Sequence, residues 1–279
     1  MTRLRADLML LACAAVWGFA FFFQKRAMTH LGPLLFIAAR SLLALTILVP
    51  LALREWRTGA RQADKPRLMR LGMLSGLAFF GGAVFQQTGI VTATVTNSGF
   101  LTSLYVVITP FVAWIVYRLA PKGWVWLAVG LSAFGTWLLG GASFAAFSTG
   151  DVLVAVSAVF WAVHVVLVGM GSSEEKPATF TALQFAVVGF LGTAAAVMFE
   201  SVEGAALLRA APDLAFVGLL SSALPFTLFA AAMQYVKATE TAVIVSTESL
   251  FAALAAWLFL GEKLSAVGWS GAGLLILAT

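Results

Sequence analysis

Charge is scarce in this chain. Asp, Glu, Lys and Arg together make up 10% of its 279 residues, while 61% are hydrophobic. A soluble domain carries roughly 25% charged residues, so there is too little polar surface here to face water, and a mean hydropathy of +0.98 agrees. The chain reads as an integral membrane protein. Cysteine occurs once, at Cys13, which excludes an internal disulfide. Histidine occurs twice, at His30 and His164, and no Cys/His cluster has metal-ligand spacing. Neither a metal nor a cofactor is expected. No G-x-x-x-x-G-K-[ST] phosphate loop is present, so the chain does not hydrolyse ATP itself. G-x-S-x-G and H-E-x-x-H are missing too, and no nucleophile–base constellation assembles. The chain is not expected to be an enzyme.

The net charge of +5 raises nucleic acid as a partner, but the basic residues sit in short loops between apolar runs, where the positive-inside rule accounts for them. No nucleic-acid binding is expected. Arg3 and Arg5 ahead of an apolar run also resemble a signal peptide, with Leu10-Leu11-Ala12-Cys13 as a faint lipoprotein box. The apolar run before that cysteine covers only residues 8–12, shorter than the roughly 7–15 residues of a signal core. The first helix is therefore read as a retained span.

A helix crossing about 30 Å of hydrocarbon needs roughly 20 apolar residues. On that rule the sequence predicts ten spans, at 7–25, 33–53, 68–89, 93–117, 123–141, 151–170, 178–199, 213–236, 239–260 and 264–279. The fold class is all-α and polytopic. With the N-terminus in the cytoplasm, that side collects Arg3, Arg5, Arg54, Arg57, Arg61, Lys65, Arg67, Arg70, Arg118, Lys122, Lys176 and Lys237. The other side has Lys25, Arg26, Arg209 and Lys263. This bias predicts both termini inside.

The chain also repeats itself. Asp7 and Trp17 return as Asp151 and Trp161, and Pro33 and Arg40 align with Pro177 and Gln184, all 144 positions apart. Gly130 and Gly135 are echoed by Gly268 and Gly273 at a separation of 138. So long a period reads as one ancestral unit duplicated and fused: a first five-helix repeat over 1–141 and a second over 151–279. An odd number of spans per repeat inverts the second against the first, an arrangement that secondary transporters use for alternating access around a midplane site. Gly72-x-x-x-Gly76, Gly81-Gly82, Ala252-x-x-x-Ala256 and Gly268-x-x-Gly271-x-Gly273 are read as close helix contacts. Pro110 and Pro225 are expected to kink their spans.

Ionisable groups inside the spans are limited to Arg40, His164 and Glu248, and such groups usually face a cavity or a partner. Glu248 reads as a contact for a substrate amine, as a proton-coupling carboxylate, or as a hydrogen-bonded acid holding two helices together. Arg40 reads as the partner of a substrate carboxylate, as the partner of Glu248, or as a tie between helices. His164 is either a structural histidine or part of a cavity wall. Gln86, Asn97, Tyr105, Gln184 and Gln234 are neutral polar candidates for a small-solute pathway. Trp17 and Trp161 sit at mid-span, away from the interfacial belts, and as a symmetric pair they are expected to wall that cavity.

These residues together resemble the drug/metabolite transporter superfamily, EamA-type. The family's first helix is matched by Ala14-Ala15-Val16-Trp17-Gly18 followed by Lys25, and its second-repeat counterpart by Phe160-Trp161-Ala162. An arginine early in the second span is matched by Arg40, and the closing Gly-Glu-Lys by Gly261-Glu262-Lys263. The family's Glu-Pro element appears as Glu248-Ser249, a departure that removes the helix-breaking proline. The resemblance covers the whole chain. It implies a ten-helix secondary transporter of small metabolites with a central cavity between the repeats, located in a bacterial inner membrane. With 23 Phe and 9 Trp, the chain looks most like the amino-acid exporters, including the YddG-type exporters of aromatic and other neutral amino acids. The expected partners are an amino acid and the lipid bilayer, with protons joining them in the reading that makes Glu248 a coupling carboxylate.

Overall fold

A computed structural model describes residues 1–58, 64–139, 148–263 and 265–278. Among these residues all regular structure is helical. Eight helical segments are long and apolar enough to cross a bilayer, and Gly123–Leu139 and Ala266–Ala278 are shorter apolar helices. The helices are α1 (Arg3–Ala27), α2 (Pro33–Thr58), α3 (Lys65–Ile90), α4 (Val95–Ser103), α5 (Tyr105–Tyr117), α6 (Gly123–Leu139), α7 (Thr149–Gly171), α8 (Pro177–Phe199), α9 (Gly204–Arg209), α10 (Ala211–Ala215), α11 (Leu224–Ala232), α12 (Ala238–Val245), α13 (Glu248–Leu260) and α14 (Ala266–Ala278). Residues 140–141 of the expected fifth span, 264 and 279 of the tenth, and Arg61 lie outside the described residues.

Local chemistry explains where several helices start. The Thr94 hydroxyl accepts from the Asn97 N–H at 3.0 Å to start α4, and Ser148 and Asp151 form a reciprocal capping box on α7. Gly261, at φ 69°, ends α13 in the left-handed region that favours glycine.

Three of the long spans are interrupted. One breaks at Leu104 between α4 and α5, and another at Ser246 and Thr247 between α12 and α13. The third widens into a π-helical segment, Phe216–Ala223, immediately before Pro225. Pro225 has no N–H to offer the turn before it, and the wide π-helical turn leaves room at the Ser221 carbonyl. The indole Nε1 of Trp17 donates to that oxygen at 3.0 Å. Pro110 lies within α5, and the break in its span falls earlier, at Leu104. The first two interruptions touch each other: the Ser103 hydroxyl reaches the Ser246 carbonyl at 3.2 Å.

Small residues set the closest approaches. A Cβ at Gly18 would lie 2.5 Å from the Glu248 carbonyl oxygen, so α1 and the start of α13 meet backbone to backbone. On α3, a Cβ at Gly72 would lie 2.9 Å from Leu183 of α8, and one at Gly82 would lie 3.1 Å from the Trp161 ring of α7.

Polar clasps tie helices together at both ends of the bundle. At the end bearing the N-terminus, here the near end, Arg3 pairs with Glu240 at 2.7 Å. The Glu55 carboxylate there accepts from the N–H groups of Ala178 at 3.1 Å and Thr179 at 2.8 Å. At the opposite, far end, Arg26 pairs with Asp213 at 2.7 Å. The Glu200 carboxylate accepts from the N–H groups of Leu34 at 2.9 Å and Leu35 at 2.8 Å. Helices α2 and α8 thus cap each other's first turns. Apolar side chains such as Ile115, Phe190, Val197 and Leu277 are exposed on the outside of the bundle, a surface for lipid rather than water.

Candidate functional site

The interrupted spans converge with α1, α2, α3 and α7 on an internal cavity. Its volume is about 60 Å³, room for roughly four water molecules. Much of its wall is aromatic. Trp17 meets Phe226 and Phe229 edge-on, with ring centroids 4.8 and 5.4 Å apart. Phe79 stacks on Phe226 at 4.8 Å and touches Trp161 at 5.3 Å. His164 completes this wall, 5.6 Å from Trp161.

Set into that apolar wall are buried polar atoms without hydrogen-bond partners. Arg40 and Glu248 both line the cavity and are each 5% exposed. The Arg40 guanidinium lies over the Phe79 ring at 5.4 Å, and its Nε has no hydrogen-bond partner. Among the described residues it pairs with no carboxylate. Glu248 Oε1 has no hydrogen-bond partner either, nor have the Tyr105 hydroxyl, Trp161 Nε1 and Gln24 Oε1, all on lining residues, and the Tyr105 hydroxyl stands beside the Glu248 carboxylate. Unmade hydrogen bonds at buried groups cost about 1–3 kcal/mol each, and more for charges. A set of five around one cavity is what a polar ligand or water would satisfy.

The break geometry explains why Glu248 is there. It is the first residue of α13, placed by the close approach of Gly18 on one side. On the other, Gly99 of α4 has Ala252 against it. Gln86 fixes the opposite wall, donating from Nε2 to the Thr102 hydroxyl at 2.9 Å.

Of the ten residues singled out in the sequence, seven line this cavity: Trp17, Arg40, Gln86, Tyr105, Trp161, His164 and Glu248. Gln184 stands one step behind. Its Oε1 contacts His164 Nε2 at 2.6 Å and accepts from the Ser75 hydroxyl at 3.1 Å. Asn97 and Gln234 are placed elsewhere. Asn97 belongs to the first turn of α4 and donates to Asp151 at 3.1 Å, while Gln234 lines a second cavity near the turn between α11 and α12. Phe226, Phe229 and Ser221 line the cavity and were missed, as was Phe79, which packs behind Phe226 and Trp161. Pro225 was the available signal for Ser221, because a helical proline withholds an N–H from the turn before it.

Comparison with known proteins bears on what such a cavity serves. The model of the EamA-like transporter family matches residues 4–141 and again 148–279. An uncharacterized transporter of Archaeoglobus fulgidus is 30% identical over 282 residues, covering 99% of this chain and 85% of that protein. The uncharacterized transporter YwfM of Bacillus subtilis is 26% identical over 194 residues, 69% of this chain and 64% of that one. One protein of known crystal structure superposes with a TM-score of 0.75 at 15% identity, covering 99% of this chain and 96% of its own, a likeness of fold alone. With both halves of the sequence matched, the chain belongs to the EamA-like transporter family and is a membrane transporter.

Proposed function

We propose that the chain is a secondary active transporter that exports amino acids, aromatic or other neutral ones, or similar small metabolites, by alternating access through the central cavity. In this reading ten spans form two inverted five-helix repeats, 1–141 and 151–279, with both termini cytoplasmic. One observation carries the cargo class. Arg40 and Glu248, one basic and one acidic side chain, are buried on the same aromatic-walled cavity, and Arg40 Nε and Glu248 Oε1 have no hydrogen-bond partner. Burying unpaired charge is expensive, and a zwitterion relieves both sites at once: its carboxylate on Arg40, its ammonium on Glu248, its side chain against Trp17 and Trp161. Gln86, Tyr105 and His164 would supply neutral contacts, with Gln184 holding His164, whereas Asn97 and Gln234 stand outside the cavity. The reciprocal caps of Glu55 and Glu200 support the inverted arrangement. They join Ala178 and Thr179 in one half and Leu34 and Leu35 in the other, pairs that are 144 positions apart.

The test is counterflow in proteoliposomes preloaded with unlabelled amino acid and challenged with radiolabelled neutral amino acids, aromatic ones first. Nucleotide sugars and phosphorylated sugars run beside them. Saturable accumulation of an amino acid is the expected result. Accumulation of another solute alone removes the cargo assignment, and current without counterflow replaces the carrier with a channel.

A further inference from the structure

The repeat relates the two ends of the bundle, and at one position it relates a lysine to a glycine. In the register that aligns Asp7 with Asp151 and Trp17 with Trp161, Lys25 aligns with Gly169. Lys25, in the last turn of α1, sends its ammonium into the turn between α3 and α4. There it donates to the carbonyls of Ile90 at 2.9 Å, Val91 at 2.9 Å and Ala93 at 3.0 Å. All three of its donors are used, and Asp151 and Glu262 lie within electrostatic range. The far end is thereby pinned across α1, α3 and α4 by charge-assisted bonds.

At the near end, α7 runs past the corresponding turn between α11 and α12 with no side chain to fill it. A cavity of about 640 Å³ opens there, lined by Gly169, Tyr117, Met233, Lys122, Lys237 and Glu240, the last held at the edge by its ion pair with Arg3. A Cβ at Gly169 would meet Met233 Cε and the Tyr117 hydroxyl, both at 3.2 Å, and Ala238 Cβ at an ordinary contact distance of 3.6 Å. The wall between this cavity and the central one is a single helical turn deep: Val165 and Phe229 line the central cavity, and Gly169 and Met233 line this one.

We propose that Lys25 is the latch of the far end, and that the pocket beside Gly169, where the matching latch is missing, is the mouth through which cargo passes between the near side and the central cavity. Lys122 and Lys237 at its rim attract the cargo's carboxylate. The proposal rests on the alternating-access reading above, and the ligand-free carrier accordingly opens more readily at the near end.

The test is single-cysteine labelling by a membrane-impermeant maleimide. Cys13→Ala removes the native thiol, and Phe21→Cys places a reporter on the central cavity wall. Vesicles of both orientations are labelled without cargo. The near side is expected to label about tenfold faster than the far side. Lys25→Met should raise the far-side rate about tenfold, the size expected for losing a charge-assisted hydrogen-bond set. Gly169→Lys should lower the near-side rate by a similar factor. Equal rates from both faces, or an unchanged far-side rate in Lys25→Met, overturn the latch. An unchanged near-side rate in Gly169→Lys overturns the mouth. Gln24→Cys serves as the reporter if Phe21→Cys fails to insert. Labelling needs no cargo, so absent counterflow with the labelling asymmetry intact would remove the transport reading and not the latch.

Discussion

Ahead of Pro225 one helical turn receives an indole. Trp17 donates to the Ser221 oxygen in the widened turn before that proline while packing on Phe226 and Phe229. Trp17→Phe keeps the ring contact and removes the donor. It should cost about 1–3 kcal/mol, read as a lower midpoint of thermal unfolding in detergent. Arg40 and Glu248 behave in the opposite sense. Each carries a buried polar atom without a hydrogen-bond partner, so Arg40→Gln and Glu248→Gln should leave the unfolding midpoint unchanged or raise it. Both should weaken cargo binding in counterflow by about tenfold or more, the usual cost of losing a charged hydrogen-bond partner. A marked drop in thermal stability would instead make the pair structural. If Glu248 also couples protons, Glu248→Gln should flatten the pH dependence of exchange; an unchanged profile would remove that role.

At the scale of the helix, Gly18 does the positioning. The backbone of α13 begins against it, and Glu248 is the first residue of that helix. Gly18→Leu should push α13 off α1, destabilise the fold by several kcal/mol as overpacked contacts do at worst, and move Glu248 out of the cavity. Intact thermal stability together with full counterflow would show that the approach is not needed. Trp17, Trp161 and Arg40 were legible as cavity residues because tryptophan at mid-span and charge at depth are costly wherever they occur. The breaks at Leu104 and at Ser246 and Thr247 were not legible. Neither site carries a proline or glycine, and Ser103 donating to the Ser246 carbonyl is a contact between halves that no local pattern encodes. Asn97 and Gln234 were misplaced for a related reason. Counting residues into an apolar run put both at depth, but Asn97 lies in the first turn of α4 and Gln234 in the turn after α11.

Across the whole molecule, the same pair of helices is fastened at both ends by the same chemistry. Glu55 holds the first turn of α8 and Glu200 the first turn of α2. Glu55→Ala and Glu200→Ala each strand two N–H groups at a helix start. Each should lower unfolding free energy by about 1–3 kcal/mol, and the double variant should lose the sum, since the two sites share no partner. A double variant no worse than either single one would mean that only one clasp is formed.

The clasps also constrain how the protein is made. When α2 leaves the ribosome, the carboxylate that finishes its first turn has not yet been synthesised, and Glu55 has nothing to hold. The first half must therefore wait in the bilayer with an open helix end until α8 arrives and brings Glu200 behind it. Completion of either half is an event of assembly between halves, so the two expressed as separate polypeptides should be degraded singly and rescued together.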